Sequence, residues 1–159
     1  PENWREFSEF LPAVERANLL ESYHKRLVDP DHQIHEPAAR MWARFEGACS
    51  TLLPSSRSVS ELDSGRASLA LARIEAHYFV NDLYLSDDYF IDNINRIRHL
   101  PGSIVQGRYD MVCPIGTADA LAKELPEMNY VVVPDAGHSA MEPAMRSALV
   151  AATERFKMR

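Results

Sequence analysis

Cysteine is scarce in this chain. Only Cys49 and Cys113 occur among 159 residues, too few for a disulfide framework and at a spacing that matches no zinc pattern, so both thiols are expected to be reduced. Long apolar runs are lacking as well, since no uninterrupted stretch approaches the ~18 residues that a membrane-spanning helix requires. The first residues have neither the basic nor the apolar region of a secretory signal, so a cytoplasmic protein with no membrane partner is expected. Positive charge is in deficit, with 17 Lys and Arg against 23 Asp and Glu. A net charge of −6 offers no footprint for a phosphate backbone, which argues against a nucleic-acid partner. Internal repeats and low-complexity segments are missing too. The remainder, 46% hydrophobic and 25% charged, is the balance of a globular chain of ordinary domain length that can bury a core. The opening "PENW" has no methionine and enters a helical pattern at once, which raises the expectation of a fragment.

Hydrophobic periodicity organises the first hundred residues as helices. Trp4, Phe7, Phe10 and Leu11 recur at helical spacing, and Leu19, Leu20, Tyr23 and Leu27 repeat the stripe after Pro12. The segment "DPDHQIHEP" reads as a turn because two prolines bracket polar residues, and Pro37 then suits the first turn of a third helix, "PAARMWARFEGACSTL". "LPSSRSVSELDSG" is a loop by composition. "RASLALARIEAHYFV" is a fourth helix, and a shorter one is expected in "IDNINRIRHL".

After residue 100 the period changes. "SIVQG" (103–107) and "YVVV" (130–133) are β-branched runs bounded by turn residues, the second apolar enough to be buried on both faces. Between them "IGTADALAKEL" is helical, and "EPAMRSALVAATERF" closes the chain as a helix. The fold class is therefore α/β: helices first, then β-α-β-α with two parallel strands. Two parallel strands do not cover their own edges, so the chain is expected to associate with a missing half, to pair with another copy, or to be only partly native.

Asp110 follows the first strand at its carboxyl end and His138 follows the second. Ligands of open α/β sheets bind outside those ends, so adjacent parallel strands would bring the two residues to one rim. A carboxylate bonded to one ring nitrogen of a histidine sets its tautomer and stabilises the imidazolium formed when the other nitrogen takes a proton. Taken alone, the two residues are a weak signal and read first as a turn-forming Asp and a surface His.

The wider wording adds to this. "GRYDMVCP", "PDAGHSAMEP", "AARMWARFEGACSTL" and "LARIEAHYFVN" closely resemble segments of proline iminopeptidases, the prolyl aminopeptidase family of α/β-hydrolases, and they occur in the same order from about Trp4 to Phe156. The resemblance implies the carboxyl-terminal portion of an α/β-hydrolase, with a helical cap and connecting helix over residues 1–100 and the β-α-β-α part of the core over 101–159. It implies Asp110 as the orienting acid and His138 as the general base. Glu46 and Glu75 would receive the free amino group of a peptide beginning with proline, with Phe79 and Cys113 near the proline ring. No metal or cofactor is implied. The family's glycine-rich oxyanion loop and G-x-S-x-G elbow occur nowhere in the chain, and Ser103 and Ser139 lack the flanking glycines of that turn. The serine is expected upstream, in a missing amino-terminal half that would be the chain's partner, and the chain alone is expected to be inactive.

The residues themselves are compatible with those roles. Glu46 stands four after Trp42 and one after Phe45, at the edge of an aromatic stripe, and Glu75 has largely apolar neighbours. Two carboxylates facing one site would raise one pKa until an ammonium arrived. Read without the resemblance, both glutamates are solvated helix residues, Trp42, Phe45, Tyr78 and Phe79 are core, Cys113 is a small buried apolar residue, and His24, His32 and His35 are exposed imidazoles. Two rival functions remain open at this point: another α/β-hydrolase, such as an esterase or epoxide hydrolase, and a small-ligand-binding module without a nucleophile.

Overall fold

A computed structural model describes residues 1–54 and 65–157; most of the loop expected from the "LPSSRSVSELDSG" composition lies outside the described residues. The chain divides into two compact units, Pro1–Ala48 with Ser55–Leu85, and Cys49–Pro54 with Ser86–Arg159.

The first unit is helical. Helix α1 covers Glu2–Glu9, a 3-10 turn covers Ala13–Asn18, and α2 covers Leu19–Leu27. Pro12 heads the 3-10 turn, and Asn18 caps α2 by accepting the Glu21 N–H at 3.3 Å. Helix α3 runs His32–Ser50 and α4 runs Gly65–Val80. The apolar stripes meet in a core of Phe7, Leu11, Tyr23, Leu27, Ala38, Ala39, Trp42, Ala72 and Ala76. Phe7 is its hub, stacked on Tyr23 at 4.3 Å and on Phe45 at 4.4 Å, with Trp42 edge-on at 5.9 Å. Tyr23 is fully buried, and its hydroxyl donates to the Phe7 carbonyl at 2.7 Å. Burial pushes that phenol upward, so it stays protonated and remains a donor. At the end of α2 the Arg73 Nε of α4 donates to the Leu27 carbonyl at 2.6 Å, placing a cation at a helix carboxyl terminus.

The turn expected over 29–37 is shorter than its composition indicates. Helix α3 already begins at His32, with Pro37 inside it. The Asp31 side chain accepts the Gln33 N–H at 2.8 Å and its carbonyl accepts from Ile34 and His35, so the acid starts the helix ahead of the proline. Pro37 gives up only the bond to the Gln33 carbonyl, on an exposed residue where water can serve it. His35 is consequently half-buried, with Nδ1 2.8 Å from the Asp29 carbonyl, rather than an exposed imidazole. Beyond α4, Asp82, Leu83 and Tyr84 have φ of 49°, 56° and 56°, a left-handed turn without glycine. Asn81 Nδ2 donates to the His77 carbonyl at 2.7 Å, and the Tyr84 hydroxyl lies 3.0 Å from His77 Nε2 across that turn.

In the second unit the expected short helix is a single turn, α5 (Tyr89–Asp92), followed by a 3-10 turn at Ile94–Arg96. Strand β1 (Ser103–Gly107), helix α6 (Ile115–Glu124), strand β2 (Asn129–Val133) and helix α7 (Pro143–Glu154) complete it. The strands pair in parallel, from Ser103 opposite Asn129 to Gly107 opposite Val133. Val133, Ala136 and Met145 form a small core with Val105, Ala144 and Ala148 packed on it. The expectation that β2 is buried on both faces does not hold, because only Val133 of its five residues is buried. Among the described residues the sheet has two strands, too few to cover an apolar strand from both sides. The order, helices followed by β-α-β-α with two parallel strands, is the α/β arrangement expected from the sequence. No helix among the described residues is long and apolar enough to cross a membrane.

Candidate active site

Parallel pairing puts the carboxyl ends of β1 and β2 side by side, and the backbone continues the pairing past both strands. Arg108 N–H donates to the Val133 carbonyl at 2.9 Å and Tyr109 N–H to the Ala136 carbonyl at 3.0 Å. This close approach depends on Gly107. A Cβ there would stand 1.9 Å from the Gly137 carbonyl oxygen and 2.8 Å from that of Ala136. The loop carrying His138 therefore lies directly on the end of β1.

Asp110 and His138 meet at this junction. His138 Nδ1 is 3.1 Å from Asp110 Oδ2, and the carboxylate is 6% exposed against 37% for the imidazole. The other carboxylate oxygen, Oδ1, accepts the Val112 N–H at 3.0 Å and the Cys113 N–H at 2.7 Å. Gln106 Nε2 lies 3.3 Å from Oδ2 and donates to the Cys113 carbonyl at 3.0 Å. A carboxylate held by two backbone donors cannot rotate away, so its Oδ2 is kept facing the Nδ1 of the histidine. With Nδ1 turned to the carboxylate, Nε2 is the ring nitrogen left for another partner, on the more exposed residue of the two.

The histidine loop has further ties. His138 N–H and Ser139 N–H both donate to the Ser50 carbonyl, at 2.9 and 2.8 Å. The Glu142 carboxylate accepts the Gly137 N–H at 2.7 Å and the Leu52 N–H at 3.2 Å. Gln106, Gly107, the Ser50–Leu52 segment and Glu142 were not among the site residues expected from sequence. Only Glu142 carried a local sign, an acid directly before the proline that opens a helix; contacts such as Leu52 with Glu142 span 90 residues.

Glu46 and Glu75 belong to the first unit. Glu46 on α3 and Glu75 on α4 are both half-buried. Glu75 Oε2 accepts the Trp42 indole N–H at 2.7 Å. Burial first, then a hydrogen bond and repulsion from Glu75, push the Glu46 carboxyl up to about 8. The protonated form of Glu46 is thus favoured, and in that form it can donate to Glu75. Phe79 stacks on Trp42 at 6.4 Å, one helical turn beyond Glu75, and with Tyr78 it is exposed rather than core. Cys113 belongs to the Asp110 loop and is exposed, which corrects the reading of it as a buried apolar residue. Its sequence has a turn there, tied by the Cys113 N–H to Asp110, and the turn keeps the residue at the surface. Partial desolvation of the sulfur beside the loop, with the Asp110 charge adding to it, raises the thiol, so it is not a reactive thiolate. Among the described residues no cluster of His, Cys, Asp or Glu is arranged to hold a metal.

Comparison with known proteins places these residues in a lineage. The probable proline iminopeptidase of Leptolyngbya boryana is 44% identical over 157 residues, covering 98% of this chain and 49% of that protein. The proline iminopeptidase of Arabidopsis thaliana is 44% identical over 159 residues, 99% of the chain and 42% of that protein. That of Xylella fastidiosa strain Temecula1 is 40% identical over 157 residues, 98% and 50%. No family model matches. The chain spans about half the length of the curated relatives it matches, and along that span it is homologous to proline iminopeptidases.

Proposed function

We propose that this chain is the acid–base and amine-recognising part of a serine exopeptidase that releases proline from the amino terminus of small peptides. One observation carries the reading: the buried Asp110 carboxylate, fixed by two backbone N–H groups, lies 3.1 Å from Nδ1 of a more exposed histidine. The arrangement suits a general base.

In this mechanism the nucleophile is a serine supplied from outside the 159 residues. His138 Nε2 takes the hydroxyl proton as the serine oxygen bonds to the prolyl carbonyl carbon, and Asp110 stabilises the imidazolium. The imidazolium gives that proton to the leaving nitrogen as the peptide bond breaks, which leaves a prolyl ester on the serine. Water then attacks the ester, His138 takes its proton and returns it to the serine oxygen, and free proline departs. Residues 1–100 contribute the recognition. The shared proton of Glu46 and Glu75 is displaced by the substrate's secondary ammonium, which supplies the same positive charge with two N–H donors. Phe79 and Cys113 border the proline ring. An esterase has no use for that carboxyl pair, which separates the two readings.

The test is release of proline from a chromogenic prolyl amide by the full-length protein. His138→Ala is expected to abolish turnover. Glu46→Gln is expected to raise KM for the prolyl amide while leaving any simple ester substrate unaffected. Equal loss on both substrates would point to an esterase. The 159 residues alone are expected to release no proline, because they hold no elbow serine and no oxyanion loop.

A further inference from the structure

We propose that Glu142 is the positioning residue that holds the His138 loop over the end of β1, an assignment that rests on the hydrolase reading of His138. Glu142 stands where helix α7 begins, yet its side chain does not cap that helix. The carboxylate reaches back instead. One oxygen accepts the N–H of Gly137, the residue before His138, at 2.7 Å, and the other accepts the N–H of Leu52 at 3.2 Å.

The two bonds close a frame around the loop. Leu52 lies two residues after Ser50, whose carbonyl accepts from both His138 and Ser139. Glu142 thus ties the 50–52 segment to the 137–139 segment by a second pair of bonds. Gly137 fills the space between them: a Cβ there would sit 3.0 Å from the Leu52 nitrogen, 3.1 Å from the Ser50 oxygen and 3.2 Å from Glu142 Oε1. Without the carboxylate, the Gly137 N–H on a buried residue loses its acceptor and the frame opens on one side. His138 is the next residue, and its hydrogen bond to Asp110 requires the loop to stay in place.

The test compares Glu142→Gln and Glu142→Ala in the full-length protein by prolyl amide kinetics, by the downfield NMR resonance of the His138 Nδ1 proton, and by thermal unfolding. Gln retains one acceptor oxygen but turns an NH2 group toward the second backbone donor. Its kcat is expected to fall about tenfold, and that of Ala about a hundredfold, with KM changed less than about twofold. In both variants the Nδ1 resonance is expected to move upfield or broaden. A Gln variant with wild-type kcat and an unmoved resonance would overturn the proposal. So would a lower unfolding midpoint with both of those readouts unchanged, since that is a merely structural residue. If Ala fails to fold, the Gln variant decides. If the parent protein releases no proline, the function proposed above fails, while the Nδ1 resonance still reports whether Glu142 positions the histidine.

Discussion

Replacing Gly107 by alanine adds one methyl group at the point where the two halves of the acid–base pair come together. The new Cβ would stand 1.9 Å from the Gly137 carbonyl oxygen and 2.8 Å from the Ala136 oxygen, both backbone atoms with no rotamer to change. An ordinary contact begins at 3.4 Å. The 136–138 segment must therefore retreat by about 1.5 Å, a displacement of the size that costs on the order of 100-fold in turnover when it misplaces a reacting group. The same retreat strains the Arg108 to Val133 and Tyr109 to Ala136 backbone bonds, so overpacking should also lower stability by about 1–3 kcal/mol. Both effects are measurable in the full-length protein, by thermal unfolding and by kcat on a prolyl amide. The His138 Nδ1 resonance reports directly on the bond to Asp110. The expected outcome is a lower midpoint, a kcat reduced by about two orders of magnitude and a lost or shifted Nδ1 signal. An alanine variant that keeps all three would refute the claim that the histidine loop rests on the glycine.

Four further outcomes follow from the same geometry. Glu46 has a folded pKa of about 8, above its ordinary 4.5, so between those values the folded chain holds a proton that the unfolded chain has released; stability is expected to fall as pH rises through that window, and Glu46→Gln should flatten the fall in unfolding midpoint from pH 5 to pH 8. Binding of prolinamide at pH 7 should release up to about one proton, because the ammonium replaces the one shared by Glu46 and Glu75; calorimetry in buffers of different ionisation enthalpy measures this, and buffer-independent heats would count against the pair as an amine site. Trp42→Phe removes the indole N–H from Glu75 and is expected to raise KM roughly tenfold with little change in kcat, read by steady-state kinetics. Asp110→Asn keeps a side chain of the same shape but presents the wrong tautomer to His138, and kcat should drop by about 10⁴ with the fold intact by circular dichroism.

Much of this arrangement was legible in the residues because it rests on local rules. The helical stripes of Phe7, Leu11, Tyr23 and Leu27 announce the first core, and the change of period after residue 100 marks both strands within a residue of their observed limits. Asp110 and His138 could be brought to one rim because parallel strands force their carboxyl ends together. Local rules failed where a neighbour in sequence outvoted composition. Pro37 reads as a helix start, but Asp31 had already capped the helix five residues earlier. Nothing local signals the left-handed turn at Asp82–Tyr84, where three ordinary residues adopt φ near +55°.

The supports of the site were illegible for a different reason. Gly107, Ser50, Leu52 and Glu142 act through backbone atoms, and a backbone donor or acceptor leaves no mark on the identity of the residue that bears it. Leu52 offers the same N–H that almost any residue would offer, and Ser50 accepts through its carbonyl rather than its hydroxyl. Only the two ends where chemistry requires a special residue are visible, the glycine that lacks a Cβ and the glutamate that supplies an acceptor. Each of those has a bland local explanation, a strand end or a helix start. What distinguishes them is convergence on one loop, from β1 on one side and α7 on the other, and that appears only when residues 90 and 30 positions apart are in contact. The Asp110–His138 contact is thus made by two side chains but positioned by main-chain groups and the one carboxylate that receives them, so substitutions at Gly107 and Glu142 should impair His138 without touching it.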